Sequence, residues 1–131
     1  MAARAVLVDS SFYIDRLRKK LDPLQELAAA PSEWDIITCG MVVLEVCRGL
    51  RGPKERKRFE DAFSVMAFVP TSNKMWQRAT DLAWKLDRQG IIMQATDVLI
   101  ASHALHVDAA VLTFDGDYKR VPSLEVLNEV G

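Results

Sequence analysis

The sequence predicts an α/β fold, a mostly parallel sheet with helices on both faces. Three observations carry this. Residues 5–9, AVLVD, form a run that is apolar up to its terminal acid, the pattern of a strand covered on both sides. Similar short runs recur along the chain, separated by segments with helical character. Strands that alternate with helices pair in parallel, because each crossover returns the chain to the same end of the sheet.

The elements follow in order. After the strand at 5–9, a helix is expected through 11–20 and another near 22–30, before Pro31. Residues 35–39, DIITC, read as the second strand. GMVVLEVCRGL reads as a mostly buried helix, although its β-branched residues make propensity ambiguous there. Pro53 suits the first turn of the next helix. The third strand is expected at 65–69. From Asn73 to Gln89, Met75, Trp76, Ala79, Leu82, Ala83 and Leu86 share one helical face, and Gly90 closes the end. TDVLIASHALH reads as a short buried helix with Thr96 as its N-cap. The fourth strand is expected at 109–115 and the fifth at 124–128.

Composition narrows the class. The chain has 131 residues, 50% hydrophobic and 27% charged, which suits one domain spanning 1–131 with a single core. No apolar run approaches the roughly 20 residues needed to cross a bilayer, so no membrane association is expected. Cys39 and Cys47 stand among apolar residues, read as buried free thiols of a protein in the reducing cytoplasm. With two histidines and no C-x-x-C, a zinc site has no support. His103 reads as a hydrogen-bonded core residue. Trp34, Trp76 and Trp84 could stack on bases but are better placed in the core, Trp76 above all. Phe12 and Tyr13 fit the core or the neighbourhood of Asp9 equally well. No P-loop, G-x-S-x-G or G-x-G-x-x-G is present.

Net charge is −1, unevenly spread. Residues 48–58, RGLRGPKERKR, hold six bases and one acid, and residues 16–20, RLRKK, add four bases. Such runs are either solvated helix faces or phosphate-binding surfaces, and what lies beside them decides.

The acids supply the chemistry. Asp9 and Asp115 end two expected strands, where parallel sheets bind ligands. Glu45 lies amid five apolar neighbours, Asp97 opens an apolar helix, and Asp117 follows Asp115 by two residues. A lone buried acid is commonly paired, and Asp97 could merely answer a helix N-terminus. Several together are different. Two carboxylates about 4 Å apart repel by roughly 4 kcal/mol at an effective dielectric of 20, so they take up protons or bind a cation. Oxygen-only ligands favour Mg²⁺ or Mn²⁺, and the chemistry expected of such a site is metal-assisted phosphodiester hydrolysis. Spacing alone leaves a metal site and scattered paired acids equally open.

Four stretches then act together: VLVDSSFYI, TCGMVVLEVCRGL, ATDVLIASHAL and VLTFDGDYKRV. In order and spacing the chain resembles the PIN-domain proteins, and among them the VapC toxins of bacterial toxin–antitoxin pairs. It departs from the commoner pattern in having no proline ahead of Asp97. The resemblance implies a five-stranded sheet ordered 3-2-1-4-5, with Asp9, Glu45, Asp97 and Asp115 as catalytic metal ligands for one or two ions. Asp117 would hold a second ion or a water, and Ser11 and Thr113 match small hydroxyl positions near the metal. It further implies a Mg²⁺- or Mn²⁺-dependent endoribonuclease, a homodimer, and a cognate small antitoxin that blocks the groove. Beside such a site, Arg48, Arg51 and Lys54 read as contacts to the RNA backbone. Two other readings compete. A catalytically silent PIN-fold RNA-binding module is argued against by the intact acids. A receiver-type signalling domain would need a phosphoacceptor aspartate on a middle strand, and residues 40–60 contain none.

Overall fold

The computed structural model describes residues 3–131. Five parallel strands form one sheet in the order β3-β2-β1-β4-β5: β1 (Arg4–Val8), β2 (Trp34–Cys39), β3 (Ala67–Val69), β4 (Ala110–Leu112) and β5 (Val126–Leu127). The order is the one the resemblance implies. Six α-helices join them: α1 (Ser10–Arg18), α2 (Pro23–Ala28), α3 (Gly40–Arg48), α4 (Pro53–Ser64), α5 (Asn73–Arg88) and α6 (Ala95–His106). The strand order reverses at β1, whose partners are β2 on one side and β4 on the other. Val6, Leu7 and Val8 are fully buried, which is why this stretch reads as unbroken apolar sequence rather than alternation.

Several boundaries differ from the sequence reading, each for a local reason. β3 starts two residues late because Val65 still caps α4 and the Met66 N–H donates to the Phe63 carbonyl. β4 stops at Leu112 because the chain turns there into a 3₁₀ helix, Gly116–Arg120, capped by the Asp115 carboxylate. β5 is only two residues long. Thr96 is not the N-cap of α6: the helix begins at Ala95, Gln94 takes the cap position, and no side chain closes it. The α5 terminus follows the reading. Gly90 adopts φ +79°, and the Gly90 and Ile91 N–H groups donate to the Asp87 and Leu86 carbonyls, closing the helix with a left-handed residue.

The tryptophans correct a packing expectation. Trp76 and Trp84 are 51% and 59% exposed. Only the stripe of Met75, Ala79 and Leu86 is buried, and Trp76, one residue round from Met75, turns off it. Trp34 is half-buried. Phe12 and Tyr13 are fully buried, as is His103. The two His103 ring nitrogens meet the Leu99 carbonyl (2.7 Å) and the Thr71 hydroxyl (2.8 Å), the hydrogen-bonded core histidine expected. Cys39 is buried and Cys47 half-buried, both free thiols. Among the described residues no helix is long and apolar enough to cross a membrane.

Two buried hydroxyls, those of Tyr13 and Thr38, find no hydrogen-bond partner among the described residues. The Tyr13 ring packs edge-on against Phe12 and Phe63, with its hydroxyl buried and unpaired there. A buried unpaired hydroxyl costs about 1–3 kcal/mol, so Tyr13→Phe should raise the unfolding free energy by about 1 kcal/mol in a urea titration. An unchanged or lower midpoint would show that the hydroxyl is satisfied in solution.

Candidate active site

The site starts where β1 runs out. Asp9 follows Val8 and occupies the N-cap position of α1, yet its side chain does not cap the helix. Its carboxylate points across to the β4 side of the sheet instead. The Thr113 hydroxyl donates to Oδ2 (2.9 Å) and the Tyr118 hydroxyl to Oδ1 (3.0 Å). Asp9 is 2% exposed, so these two donors carry much of the cost of burying its charge.

Thr113 is itself locked. Its hydroxyl accepts from the Asp115 N–H (2.9 Å) and lies 3.0 Å from the Ser11 hydroxyl, which in turn accepts from the Phe114 N–H (3.1 Å). Ser11 and Thr113 therefore tie the start of α1 to the segment after β4. The Tyr118 hydroxyl, fully buried, also lies 3.3 Å from Asp97 Oδ1. One phenolic proton thus faces two carboxylates, with the shorter contact to Asp9.

Asp9, Asp97 and Asp115 line one cleft of about 410 Å³. Glu45, on α3, approaches through Ser10, whose hydroxyl donates to Oε1 (3.0 Å). The crowding acts on Asp97. Burial, first, and then the neighbouring charges of Asp9 and Asp115 push its carboxyl up to about 7, against the Tyr118 hydrogen bond; Glu45 adds a smaller push. The same burial and the carboxylates of Asp9 and Asp97 push the Tyr118 phenol far up, so it stays a proton donor. Asp117 is not brought to the cleft: it sits in the 3₁₀ helix with its carboxylate 2.6 Å from Arg120.

Donor chemistry bears on the implied metal. The cleft offers carboxylate and hydroxyl oxygens, which suit Mg²⁺ or Mn²⁺ rather than a softer ion. Among the described residues no three acids, histidines or cysteines converge tightly enough to cage an ion unaided. The acids ring an open cleft instead, an arrangement compatible with an ion that keeps part of its water shell and shares it with a phosphate.

Beside the acids lies a second groove, about 540 Å³, with an apolar floor of Leu17 and Val46 and a rim of Arg18, Arg48 and Arg51; Glu45 reaches it too. None of the three arginines forms an ion pair among the described residues. Arg18 borders both cleft and groove. Lys54, in the first turn of α4, is exposed and lines neither. Sequence reasoning passes over Arg18, Gln94 and Phe114, all at the acidic cleft. Arg18 is visible in the sequence only as one member of a basic run, and nothing local marks the other two.

A family model described as PIN domain matches residues 6–124. No curated protein sequence matches the chain. Among solved structures, VapBC2 from Rickettsia felis, bound to a DNA fragment from its promoter, superposes with a TM-score of 0.75 at 22% identity, covering 93% of this chain and 96% of that one. FitAcB from Neisseria gonorrhoeae gives 0.73 at 18% identity, with 94% and 96% covered. Mycobacterium tuberculosis VapC20, described as a sarcin–ricin loop cleaving toxin, gives 0.68 at 16% identity, with 93% and 98% covered. At these identities the likeness is one of fold.

The Asp97 shift has a consequence for stability. Between about pH 4 and pH 7 the unfolded chain ionises this carboxyl while the metal-free fold retains its proton. The native state then binds more protons, so stability falls as pH rises through that window. Thermal melts in EDTA should show wild-type Tm declining from pH 5 to pH 7.5 more steeply than that of Asp97→Asn. Parallel slopes would place the Asp97 pKa near its ordinary value.

Proposed function

Because the chain belongs to the PIN domain family, we propose that it is a Mg²⁺- or Mn²⁺-dependent endoribonuclease, the toxin of a VapBC-type pair. The observation that carries the proposal is the meeting of three aspartates, from the residue after β1, the turn that follows β4 and the start of α6, in one cleft with Glu45 beside it. Burial and like charge hold these groups where a divalent cation relieves them.

In this reading Asp9, Glu45, Asp97 and Asp115 hold the ion or ions, which would supply Lewis-acid stabilisation at phosphorus and a more acidic water. Asp117 would have to leave its Arg120 pair to reach a second ion. The rest falls to the chain's own groups. Thr113 and Tyr118 keep both Asp9 oxygens oriented before any substrate arrives. Arg18, Arg48 and Arg51 bind RNA phosphates along the neighbouring groove, with exposed Lys54 a further candidate outside it, and give affinity rather than sequence choice. Such an arginine-rimmed groove with an apolar floor also suits a cognate antitoxin that competes with RNA. The active toxin is proposed to be a cytoplasmic homodimer.

Incubating the purified chain with RNA and Mn²⁺ should give cleavage that EDTA abolishes and that Asp9→Asn lowers at least about 100-fold, the scale of a damaged metal site. Cleavage that survives both changes would put the activity elsewhere. Replacing Arg48 and Arg51 together by alanine should weaken RNA binding and flatten its salt dependence, by about 0.7 in log–log slope for each single-strand phosphate no longer neutralised. An unchanged slope would remove these arginines from the RNA path.

A further inference from the structure

Phe114 lines the acidic cleft beside Asp115 and follows Thr113, the residue that holds Asp9, and its role does not follow from holding an ion. The ring is 40% exposed, whereas Phe12 beneath it is fully buried. The two rings stack at 5.6 Å between centroids with 30° between planes. The Arg16 guanidinium carbon lies 4.7 Å from the Phe114 centroid and 5.2 Å from that of Phe12. These three separations make a nearly equilateral triangle. Arg16 is therefore too close to Phe12 to sit on the opposite face of Phe114, so both neighbours support the ring from one side.

The support is rigid. Arg16 is pinned by Glu26 (2.8 Å) and Asp15 (2.9 Å), and the Phe114 N–H is held by Ser11. The ring borders the acidic cleft and also a hollow of about 210 Å³ next to it, whose lining includes Lys119 and Asn128. An aromatic surface fixed from behind, at a site that handles phosphodiesters, with polar groups beside it, matches what an unstacked nucleobase needs. Base–aromatic stacking tolerates any base, since every base has a π-face. A duplex offers no such face, because its bases are already stacked.

We propose that Phe114 is a stacking platform for an unpaired base next to the scissile phosphate. The proposal rests on the ribonuclease reading above. Phe114 is a substrate-positioning residue here, and it should act on substrate binding while leaving the ion alone.

The test uses unstructured RNA oligonucleotides carrying 2-aminopurine at successive positions, with Mn²⁺ affinity measured separately by electron paramagnetic resonance. The wild type should quench 2-aminopurine beside the cut. Phe114→Ala should lose that quenching and raise KM roughly 5- to 150-fold, the worth of one stacked base, with kcat and Mn²⁺ affinity essentially unchanged. Phe114→Trp should restore both quenching and KM. Wild-type quenching and KM in Phe114→Ala would overturn the proposal, as would a parallel loss of Mn²⁺ affinity, which would make the residue structural. Failure of Phe114→Trp to rescue would do the same. A wild-type protein that binds Mn²⁺ and cleaves RNA, with Phe114→Ala indistinguishable from it, defeats the platform alone. A wild type that does neither defeats the ribonuclease reading and the platform with it.

Discussion

The structure turns on one buried carboxylate at the end of the central strand. Asp9 is held by hydroxyls from two residues more than a hundred positions away, Thr113 and Tyr118. Its burial is tolerable only because both oxygens are met by donors. That requirement ties β1 to the segment after β4, and so joins the two strands between which a parallel sheet opens its ligand crevice. The 3₁₀ helix, capped by Asp115, serves the same end by bringing Tyr118 underneath. Tyr118 in turn touches Asp97, so Asp9 and Asp97 share one proton donor, carried by the 3₁₀ helix that Asp115 caps.

Hydroxyl donors orient these charges without neutralising them. One phenolic proton facing two carboxylates leaves the group short of positive charge; burial first, and then the charges of Asp9 and Asp115, lead Asp97 to hold its own proton towards neutrality despite the Tyr118 hydrogen bond. Arginines nearby do not close the deficit. Arg16 is committed to Asp15 and Glu26, and Arg120 to Asp117. Arg18, Arg48 and Arg51 edge the adjoining groove with no ion pair among the described residues. The result is a concentrated negative cleft against a positive groove, a division suited to a cation at one and an anionic polymer at the other. A fold built for stability alone would gain by pairing the two sets.

Much of this is legible in the sequence. The unbroken apolar strands point to the parallel sheet, and topology alone puts the strand-ending acids at its carboxyl edge. The strand order comes from resemblance to a family. Other features are not legible, for identifiable reasons. Trp76 shares a helical stripe with Met75, but a stripe has a width, and only the packing partner decides where burial stops. Asp117 sits two residues from Asp115 in sequence, yet the turn of the 3₁₀ helix sends its carboxylate to Arg120. Phe114 looks like one more strand residue until β4 ends at Leu112 and leaves its ring at the rim of the cleft.

What the sequence determined by itself is therefore the periodic part: which segments are strands and helices, and which acids carry an apolar neighbourhood that makes their charge costly. These properties belong to a residue and its near neighbours along the chain. What only the tertiary structure decided is how those charges are shared out. Which carboxylate meets a hydroxyl, which meets an arginine and which keeps a proton depends on distances between residues far apart in sequence. Electrostatic energy falls with separation in space and not along the chain, so only the fold could assign those partners.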